Sequence, residues 1–223
     1  MEFLVPHIAP FVAITGYINY PKDFRIESTL LYKLSVIHNA ALVIFSGWTF
    51  LSMCQVLYTH GIVFQSNYYF QNPTFDKIVY YFYLSKYYEF FDTFLLYLNG
   101  KTPIFLQKYH HIGAVIMWHL SYMHKVDCIW IGTTFNSLVH TIMYSYYLGC
   151  LLKINQVRFI KQYITSLQLF QLIVPNFFII YFYYPPIETE FNFYIIKLFI
   201  TYVIGLIILF TQFYYKNYIK IIR

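Results

Sequence analysis

The chain has 223 residues, of which 59% are hydrophobic and 11% charged, with a formal net charge of +6 at pH 7. Soluble domains carry about 25% charged residues, so this composition excludes an ordinary soluble protein and indicates one that crosses a membrane several times. The three cysteines, Cys54, Cys128 and Cys150, have the spacing neither of a zinc site nor of a disulfide framework.

Seven apolar segments are predicted to cross the membrane as helices. About 20 residues are needed to cross a hydrocarbon core of about 30 Å, and most of the segments reach that length. In chain order they are Phe3–Tyr20, Leu34–Tyr58, Ile78–Leu98, Gln107–His124, Ile129–Leu152, Tyr163–Tyr184 and Phe193–Tyr215. Pro6 and Pro10 predict a kink in the first segment. Because no stretch remains for a soluble domain, residues 1–223 are predicted to form a single, all-α, polytopic transmembrane domain.

Basic residues are distributed unequally between the two sides of this topology. With seven crossings, eleven of the fifteen basic residues share one side with the C-terminus. Cytoplasmic loops are enriched in Lys and Arg, so the C-terminus is predicted to be cytoplasmic and the N-terminus lumenal. The residues on that side are Lys22, Arg25, Lys33, Lys101, Lys108, Lys153, Arg158, Lys161, Lys216, Lys220 and Arg223.

The third predicted span carries ionisable side chains, which are costly in hydrocarbon and therefore usually face a polar cavity. Lys86, Glu89, Asp92 and Thr93 recur at helical spacing, so they are predicted to share one helix face where Lys86 pairs with Glu89. The alternative is that these charges only hold helices together.

The fourth predicted span begins with Gln107-Lys108-Tyr109-His110-His111, which places adjacent imidazoles at the mouth of an apolar run. Imidazole can serve as a nucleophile, as a general acid or base, or as a metal ligand. The alternative is that both histidines only anchor the helix at the interface.

Two later spans also carry polar residues close to one helix face. They are Asn136, His140, Tyr144 and Tyr147 in the fifth span, and Thr165, Gln168 and Gln171 in the sixth. Hydrogen bonds between helices are the alternative explanation for them. In the predicted orientation, however, four spans direct their polar side chains toward one cytoplasm-facing cavity, which favours a reaction chamber.

In chain order, these residues resemble the four signature motifs of the ELO family of very-long-chain fatty acid elongases. The matching runs are Lys86-Tyr-Tyr-Glu89-Phe-Phe-Asp92-Thr93, Gln107-Lys-Tyr-His110-His111, Asn136-Ser-Leu-Val-His140-Thr-Ile-Met143-Tyr144-Ser-Tyr146-Tyr147 and Thr165-Ser-Leu-Gln168-Leu-Phe-Gln171. The resemblance covers about residues 30–215, and His38-Asn39 is a looser match. The family's box is usually His-x-x-His-His, whereas Gln107 stands at the first position here and cannot shuttle a proton.

The resemblance implies a 3-ketoacyl-CoA synthase of the endoplasmic reticulum membrane. Such an enzyme condenses a long-chain acyl-CoA with malonyl-CoA and releases CO₂ and CoA, with no bound cofactor and no metal. By this resemblance His110 takes the acyl group as an acyl-imidazole, and His140 contacts malonyl-CoA or its enolate. His111 and Asn136 would orient the imidazoles and donate hydrogen bonds, and Gln107 would support that network.

The resemblance further implies where the substrates bind and which partners the protein has. Apolar lumenal halves of the spans would wall a tunnel for the acyl chain. Basic residues on the cytoplasmic side are expected to contact the phosphates of CoA. These are Lys101, Lys108, Lys153, Arg158 and Lys161. Besides the bilayer, the expected partners are other enzymes of the elongation cycle and a second copy of the chain; no nucleic acid is expected.

Two other classes of protein remain open from the residues alone. A histidine-box di-iron desaturase or hydroxylase shares the membrane and the lipid substrate, but it needs many imidazole or carboxylate ligands, and the chain has eight histidines. The remaining His7, His38, His60, His119 and His124 are scattered. A seven-helix receptor or transporter fits the spans, but it leaves the clustered histidines and carboxylates without a role.

Overall fold

The computed structural model describes residues 5–20, 25–183 and 190–220, which form a bundle of α-helices with no β-strand among them. Short 3₁₀ segments cover Tyr69–Gln71 and Asn155–Ile160, and a π-helical turn covers Tyr215–Ile219. The helices are α1 (Val5–Ile18), α2 (Ser28–His60), α3 (Pro73–Tyr88), α4 (Phe90–Leu98), α5 (Phe105–Met123), α6 (Ile129–Leu151), α7 (Lys161–Tyr183) and α8 (Glu190–Tyr214).

Three stretches of the described chain are long and apolar enough to cross a membrane. They are α2, α7 and Phe191–Ile219, which joins α8 to the turn that follows it. The protein is therefore a multi-pass membrane protein, and the second, sixth and seventh predicted spans are confirmed as helices of that kind. The other four crossings stay predictions; α1, for instance, has 14 residues and a length of about 21 Å. Phe3 and Tyr184, at the ends of two predicted spans, lie outside the described residues.

The predicted continuous helix Ile78–Leu98 is wrong in one respect, because it is divided at Glu89 into α3 and α4. Asp92 donates its main-chain N–H to the Glu89 carbonyl three residues earlier, which tightens the turn relative to an α-helix. The buried Glu89 carboxylate is bound at the same point to Lys86 from the preceding turn. A sequence without Gly or Pro gives no signal for such a break.

Local sequence accounts for two of the helix ends. The Asn72 side chain accepts hydrogen bonds from the main-chain N–H groups of Thr74 and Phe75, and Pro73 follows it as the first residue of α3. After α4, Gly100 has φ of +70°, a left-handed conformation that glycine adopts without strain. This turn ends α4 and leads the chain toward α5.

Helix α5 packs against α8 through two reciprocal contacts between a glycine and a tyrosine. A Cβ atom built on Gly113 would lie 2.0 Å from the Tyr202 ring, and one built on Gly205 would lie 2.3 Å from the Tyr109 hydroxyl. The two tyrosine rings stack with centroids 5.5 Å apart. Small residues allow membrane helices to approach closely, so these glycines fix how Tyr202 meets α5.

The 19 residues of α5 separate two ends of the bundle by about 28 Å. We call the end that contains Gln107–His111 the box end, and the end that contains residues 124–128 the far end. At the far end the fully buried Asp127 carboxylate accepts the main-chain N–H groups of Tyr68, Tyr69 and Phe70. This carboxylate fixes the connection between α2 and α3 against the bundle.

Candidate active site

A buried network of charged and amide side chains joins α3, α6 and α7. Lys86 Nζ donates to Glu89 Oε1 at 2.8 Å, which confirms the predicted ion pair, and to Asn136 Oδ1 at 2.9 Å. Asn136 Nδ2 in turn lies 3.5 Å from Gln171 Oε1. His140 Nδ1 lies 3.5 Å from Glu89 Oε1 without the alignment of a hydrogen bond. The network supplies hydrogen-bond partners to the buried charges of Lys86 and Glu89, whose side chains are 1% and 2% exposed.

The second carboxylate of the third predicted span, Asp92, has different partners. Asp92 Oδ1 lies 2.8 Å from His38 Nε2, and Asp92 Oδ2 accepts the Tyr144 hydroxyl at 2.6 Å. These contacts connect α4 with α2 and α6. His38 belongs to the looser match in the second span, so the structure gives that residue a partner in the site.

His110 lies next to this network at the box end. One nitrogen of His110, one nitrogen of His140 and one oxygen of Glu89 all lie within 4.8 Å of one another. Two imidazoles and a carboxylate are a donor set that a single divalent metal ion can take. Lys86 Nζ donates to the Glu89 carboxylate, however, and its positive charge opposes a cation there. The cluster can therefore combine a nucleophilic imidazole with a second imidazole and a buried ion pair.

Tyr202 of α8 contacts His110 directly, and sequence reasoning missed it. Its hydroxyl donates to the His110 main-chain oxygen at 2.9 Å and lies 3.3 Å from His110 Nδ1. The chain has 26 tyrosines, so nothing in the sequence distinguishes Tyr202 from the others as a site residue. The glycine at position 113 is the only hint, because it leaves room for a large side chain beside the box.

Gln107 belongs to a second chain of contacts at the box end. Its Nε2 donates to Thr93 Oγ1 at 3.2 Å, and Thr93 Oγ1 lies 2.9 Å from the Tyr17 hydroxyl. The ring centroids of His110 and the buried His111 lie 5.5 Å apart. His111 Nδ1 has no hydrogen-bond partner among the described residues. Hydrogen bonds thus connect Gln107 of α5 to Thr93 of α4 and, through it, to Tyr17 of α1.

The remaining residues predicted from the motifs contact side chains other than His110. Gln168 Nε2 donates to Met143 Sδ at 3.1 Å, so it reaches α6 but not the histidines. The buried Thr165 lies 3.3 Å from the Tyr218 hydroxyl. Tyr147 is 42% exposed, and its ring lies 6.0 Å from that of Tyr144. Of the sixth-span motif, only Gln171 joins the buried network.

The basic residues predicted to contact CoA lie in the loops and helix ends of the box end. Lys101, Lys153 and Lys161 are exposed, and Lys108 is half-buried in the first turn of α5. Nothing is described of the Arg158 side chain. These positions do not test whether the five residues bind CoA, so the CoA site stays a prediction.

A small cavity adjoins His110. It has a volume of about 40 Å³ and reaches Asn136, Trp118 and Asn176. Sites for small molecules usually measure roughly 300–1,000 Å³, so the predicted acyl tunnel is not open among the described residues. A second cavity of about 360 Å³ lies between α1, α3 and α4 and is lined by Tyr17 and Thr93, which connect to Gln107.

Comparison with known proteins identifies the family. The model of the ELO family, described as the GNS1/SUR4 family, matches residues 8–221. Fatty acid elongase sre1 of Dictyostelium discoideum is 33% identical over 161 residues, which cover 65% of this chain and 56% of that protein. Very long chain fatty acid elongase 5 of Tachysurus fulvidraco is 31% identical over 194 residues, covering 83% and 65%, and that of Xenopus laevis is 29% identical over 253 residues, covering 93% and 85%. The chain thus spans less than two thirds of the first two relatives. It belongs to the ELO family.

Proposed function

We propose that the chain is the condensing enzyme of fatty acid elongation, a 3-ketoacyl-CoA synthase that joins a long-chain acyl-CoA to malonyl-CoA. Membership of the ELO family and the printed names of its relatives support this class of reaction. The single observation that carries the chemistry is the cluster of His110, His140 and Glu89, whose ligand atoms lie within 4.8 Å of one another beside a cavity.

In the first half-reaction, His110 Nε2 attacks the thioester carbonyl carbon. The C–S bond breaks, the CoA sulfur leaves with the electron pair and a proton, and the acyl group stays on the imidazole. The contact with Tyr202 supports this role, because Nδ1–H can donate to the phenol oxygen while the phenol donates to the His110 carbonyl. That tautomer leaves the lone pair on Nε2.

In the second half-reaction, malonyl-CoA loses CO₂ and the electron pair of the broken C–C bond forms an enolate. The enolate carbon attacks the acyl-imidazole, the C–N bond breaks, and the leaving imidazole takes up one proton from solvent, which gives 3-ketoacyl-CoA and regenerates neutral His110. In this proposal His140, whose Nδ1 lies 3.5 Å from Glu89 Oε1, contacts the malonyl group or the enolate oxygen. Asn136, held by Lys86 Nζ, orients the polar wall of the cavity.

The cellular setting belongs to the same proposal. The enzyme lies in the endoplasmic reticulum membrane with a lumenal N-terminus and a cytoplasmic C-terminus. The exposed Lys101, Lys153 and Lys161 at the box end then face cytosolic CoA, together with Lys108 and Arg158. The other elongation-cycle enzymes act on its product, and a second copy of the chain is a candidate partner.

The experiment is incorporation of labelled malonyl-CoA by isolated membranes that contain the expressed chain. A product two carbons longer than the added acyl-CoA is expected, and membranes without the chain are the control. No incorporation at saturating acyl-CoA, with the protein present and folded, contradicts the proposal. The length of the product also reports the chain-length preference.

A second candidate, an iron-dependent desaturase or hydroxylase, has one observation in its favour, the donor set of His110, His140 and Glu89. The ammonium of Lys86 on the same carboxylate group argues against a cation there. Oxygen-dependent formation of an unsaturated or hydroxylated product would support this candidate. No observation among the described residues favours a receptor or a transporter.

A further inference from the structure

Helices α1, α3 and α4 enclose a cavity that no step of the proposed reaction uses. It has a volume of about 360 Å³, within the range of roughly 300–1,000 Å³ that is usual for small-molecule sites. We call this cavity the α1 slot. Eight of its ten described lining residues are tyrosine or phenylalanine. His110, His140 and Glu89 are not among the ten, so a ligand in the slot lies apart from the proposed nucleophile.

Three hydroxyl groups of the α1 slot already have partners within the protein. The Tyr17 hydroxyl lies 2.9 Å from Thr93 Oγ1, and that oxygen also accepts from Gln107 Nε2. The Tyr87 hydroxyl lies 2.7 Å from the hydroxyl of Tyr83. At these residues the slot presents aromatic rings rather than unpaired polar groups, and such a wall suits hydrocarbon.

The α1 slot extends over about half the thickness of a membrane. Thr93 lies near its box end, because it bonds Gln107, and Tyr97 lies one helical turn closer to the end of α4. Tyr87 is the lining residue farthest from Tyr97 along α3 and α4, at a separation of about 15 Å. One leaflet contributes half of a hydrocarbon core of about 30 Å, so the slot matches the length of one lipid tail.

The box-end mouth of the slot carries positive charge. Arg25 Nη1 donates to the Tyr97 carbonyl at 3.2 Å, so its guanidinium lies where the slot meets the surface. A Cβ atom built on Gly100 would lie 4.0 Å from Arg25 Nη2, and Lys101 is the next residue. Arg25 and Lys101 are both exposed. Guanidinium and ammonium groups bind phosphate, so this mouth complements an anionic head group.

We propose that the α1 slot binds one anionic phospholipid of the surrounding bilayer, with an acyl tail between α1 and α4 and its phosphate at Arg25 and Lys101. Gly16 and Tyr88 line the slot and are exposed, so the slot opens to the outside of the bundle, where a membrane protein meets lipid. The box end is the proposed cytoplasmic side, and the cytoplasmic leaflet carries the anionic lipids. A bound tail fills the space between the helices and stabilises the packing of α1.

The first test is thermal unfolding of the purified chain in detergent, after removal of bound lipid, with added phosphatidylserine or phosphatidylcholine. A ligand at about 100 times its Kd raises the Tm of a chain of this size by roughly 5–10 °C, and this shift is expected with phosphatidylserine only. Native mass spectrometry of the wild type should show one phosphatidylserine bound per chain. Equal shifts with the two lipids overturn the proposal.

Gly16→Leu tests the position of the tail. A Cβ atom built on Gly16 has no neighbour within 4 Å, so a leucine side chain enters open space at the slot without displacing the protein. It should abolish the shift with phosphatidylserine. Ala9→Leu is the matched control, since it adds a leucine to an exposed position of α1 outside the described lining, and the shift should remain. A full shift in folded Gly16→Leu overturns the proposal.

Arg25→Gln tests the head group, because glutamine can still donate to the Tyr97 carbonyl but lacks the charge. The shift with phosphatidylserine should fall to that with phosphatidylcholine, whereas Lys216→Gln, at an exposed position after α8, should leave it unchanged. A dimer that Gly16→Leu dissociates, with no difference between the lipids, would place a second copy of the chain in the slot and overturn the proposal. These measurements use no substrate, so they stand or fall apart from the proposed function.

Discussion

The two ends of the bundle bury carboxylates in different ways. At the far end Asp127 accepts hydrogen bonds from three main-chain N–H groups, which cannot move without unfolding the loop. At the box end Glu89 is shared between Lys86 and the neighbourhood of His140, and the adjacent His110 and Asn136 line a cavity. A carboxylate saturated by the main chain stabilises the fold, whereas one held by titratable side chains beside a cavity is available for chemistry.

At the far end the main chain also satisfies a buried hydroxyl. Tyr69 donates its hydroxyl to the Gly61 carbonyl at 2.8 Å and accepts the main-chain N–H of Val63 at 3.0 Å. Burial raises the pKa of Tyr69, so its hydroxyl keeps the proton that it donates. Around His110, two imidazole nitrogens, His111 Nδ1 and His140 Nδ1, have no hydrogen-bond partner among the described residues, whereas in the far-end loop Ser66 Oγ is the unpartnered group.

The largest difference between the ends is expected from histidine substitutions. His110→Ala removes the proposed nucleophile and should lower the condensation rate by more than about 1,000-fold in a protein that still inserts and folds. His60→Ala, an exposed far-end histidine, is the control and should keep full activity. Labelled malonyl-CoA incorporation measures both. Full activity of His110→Ala would exclude the acyl-imidazole.

Glu89→Ala is expected to damage stability and activity together. It leaves the buried Lys86 ammonium without its carboxylate, which costs about 3–5 kcal/mol. Asp92→Ala should act in the same direction through the loss of the His38 and Tyr144 contacts. Thermal unfolding in detergent and product formation are the measurements.

The double variant Lys86→Met with Glu89→Leu sharpens this test. It removes both charges, so its unfolding temperature should be higher than that of Glu89→Ala, while it should remain inactive. If Glu89→Ala and Asp92→Ala both express and turn over normally, the carboxylates lie outside the site.

Asp127→Ala should affect stability alone. Three main-chain donors lose a charged acceptor, so unfolding should become easier by about 3 kcal/mol. Below the unfolding temperature, kcat should stay within about twofold of wild type, because the box end is about 28 Å away along α5. A large loss of kcat in folded Asp127→Ala would contradict the division between the two ends.

Gln107→His should have the smallest effect. Both side chains can hydrogen-bond to Thr93, so activity should stay within about threefold of wild type. Exhaustive chelation should leave turnover unchanged, and no stoichiometric iron or zinc should co-purify. Loss of activity on chelation, restored by added iron, would instead support the oxygenase candidate.

The sequence predicts the parts of the site in which a side chain is out of place in hydrocarbon. Lys86, Glu89, His110 and His140 stand out for that reason, and helical spacing correctly pairs Lys86 with Glu89. The three spans long enough to cross a membrane follow from apolar length alone.

Residues that match their surroundings could not be predicted. Tyr202 is one phenol in an aromatic-rich chain, and Asn176 joins the cavity that His110 lines only when α7 packs against α6 and α8. The break at Glu89 results from tertiary contacts, which periodicity does not report. No spacing pattern in the sequence points to Asp127, because its partners are main-chain N–H groups that precede it by 57 to 59 positions.

The contact between α5 and α8 has a consequence for how the protein is made. Tyr202 follows His110 by 92 residues, so at about 5–20 residues per second the ribosome delivers the tyrosine roughly 5–18 s after the histidine. Until α8 inserts and Gly113 receives the Tyr202 ring, His110 lacks its contact with the Tyr202 hydroxyl. If His110 is the nucleophile as proposed, a nascent chain carries it into the membrane before that contact exists, and the reaction begins only after the last helix has docked.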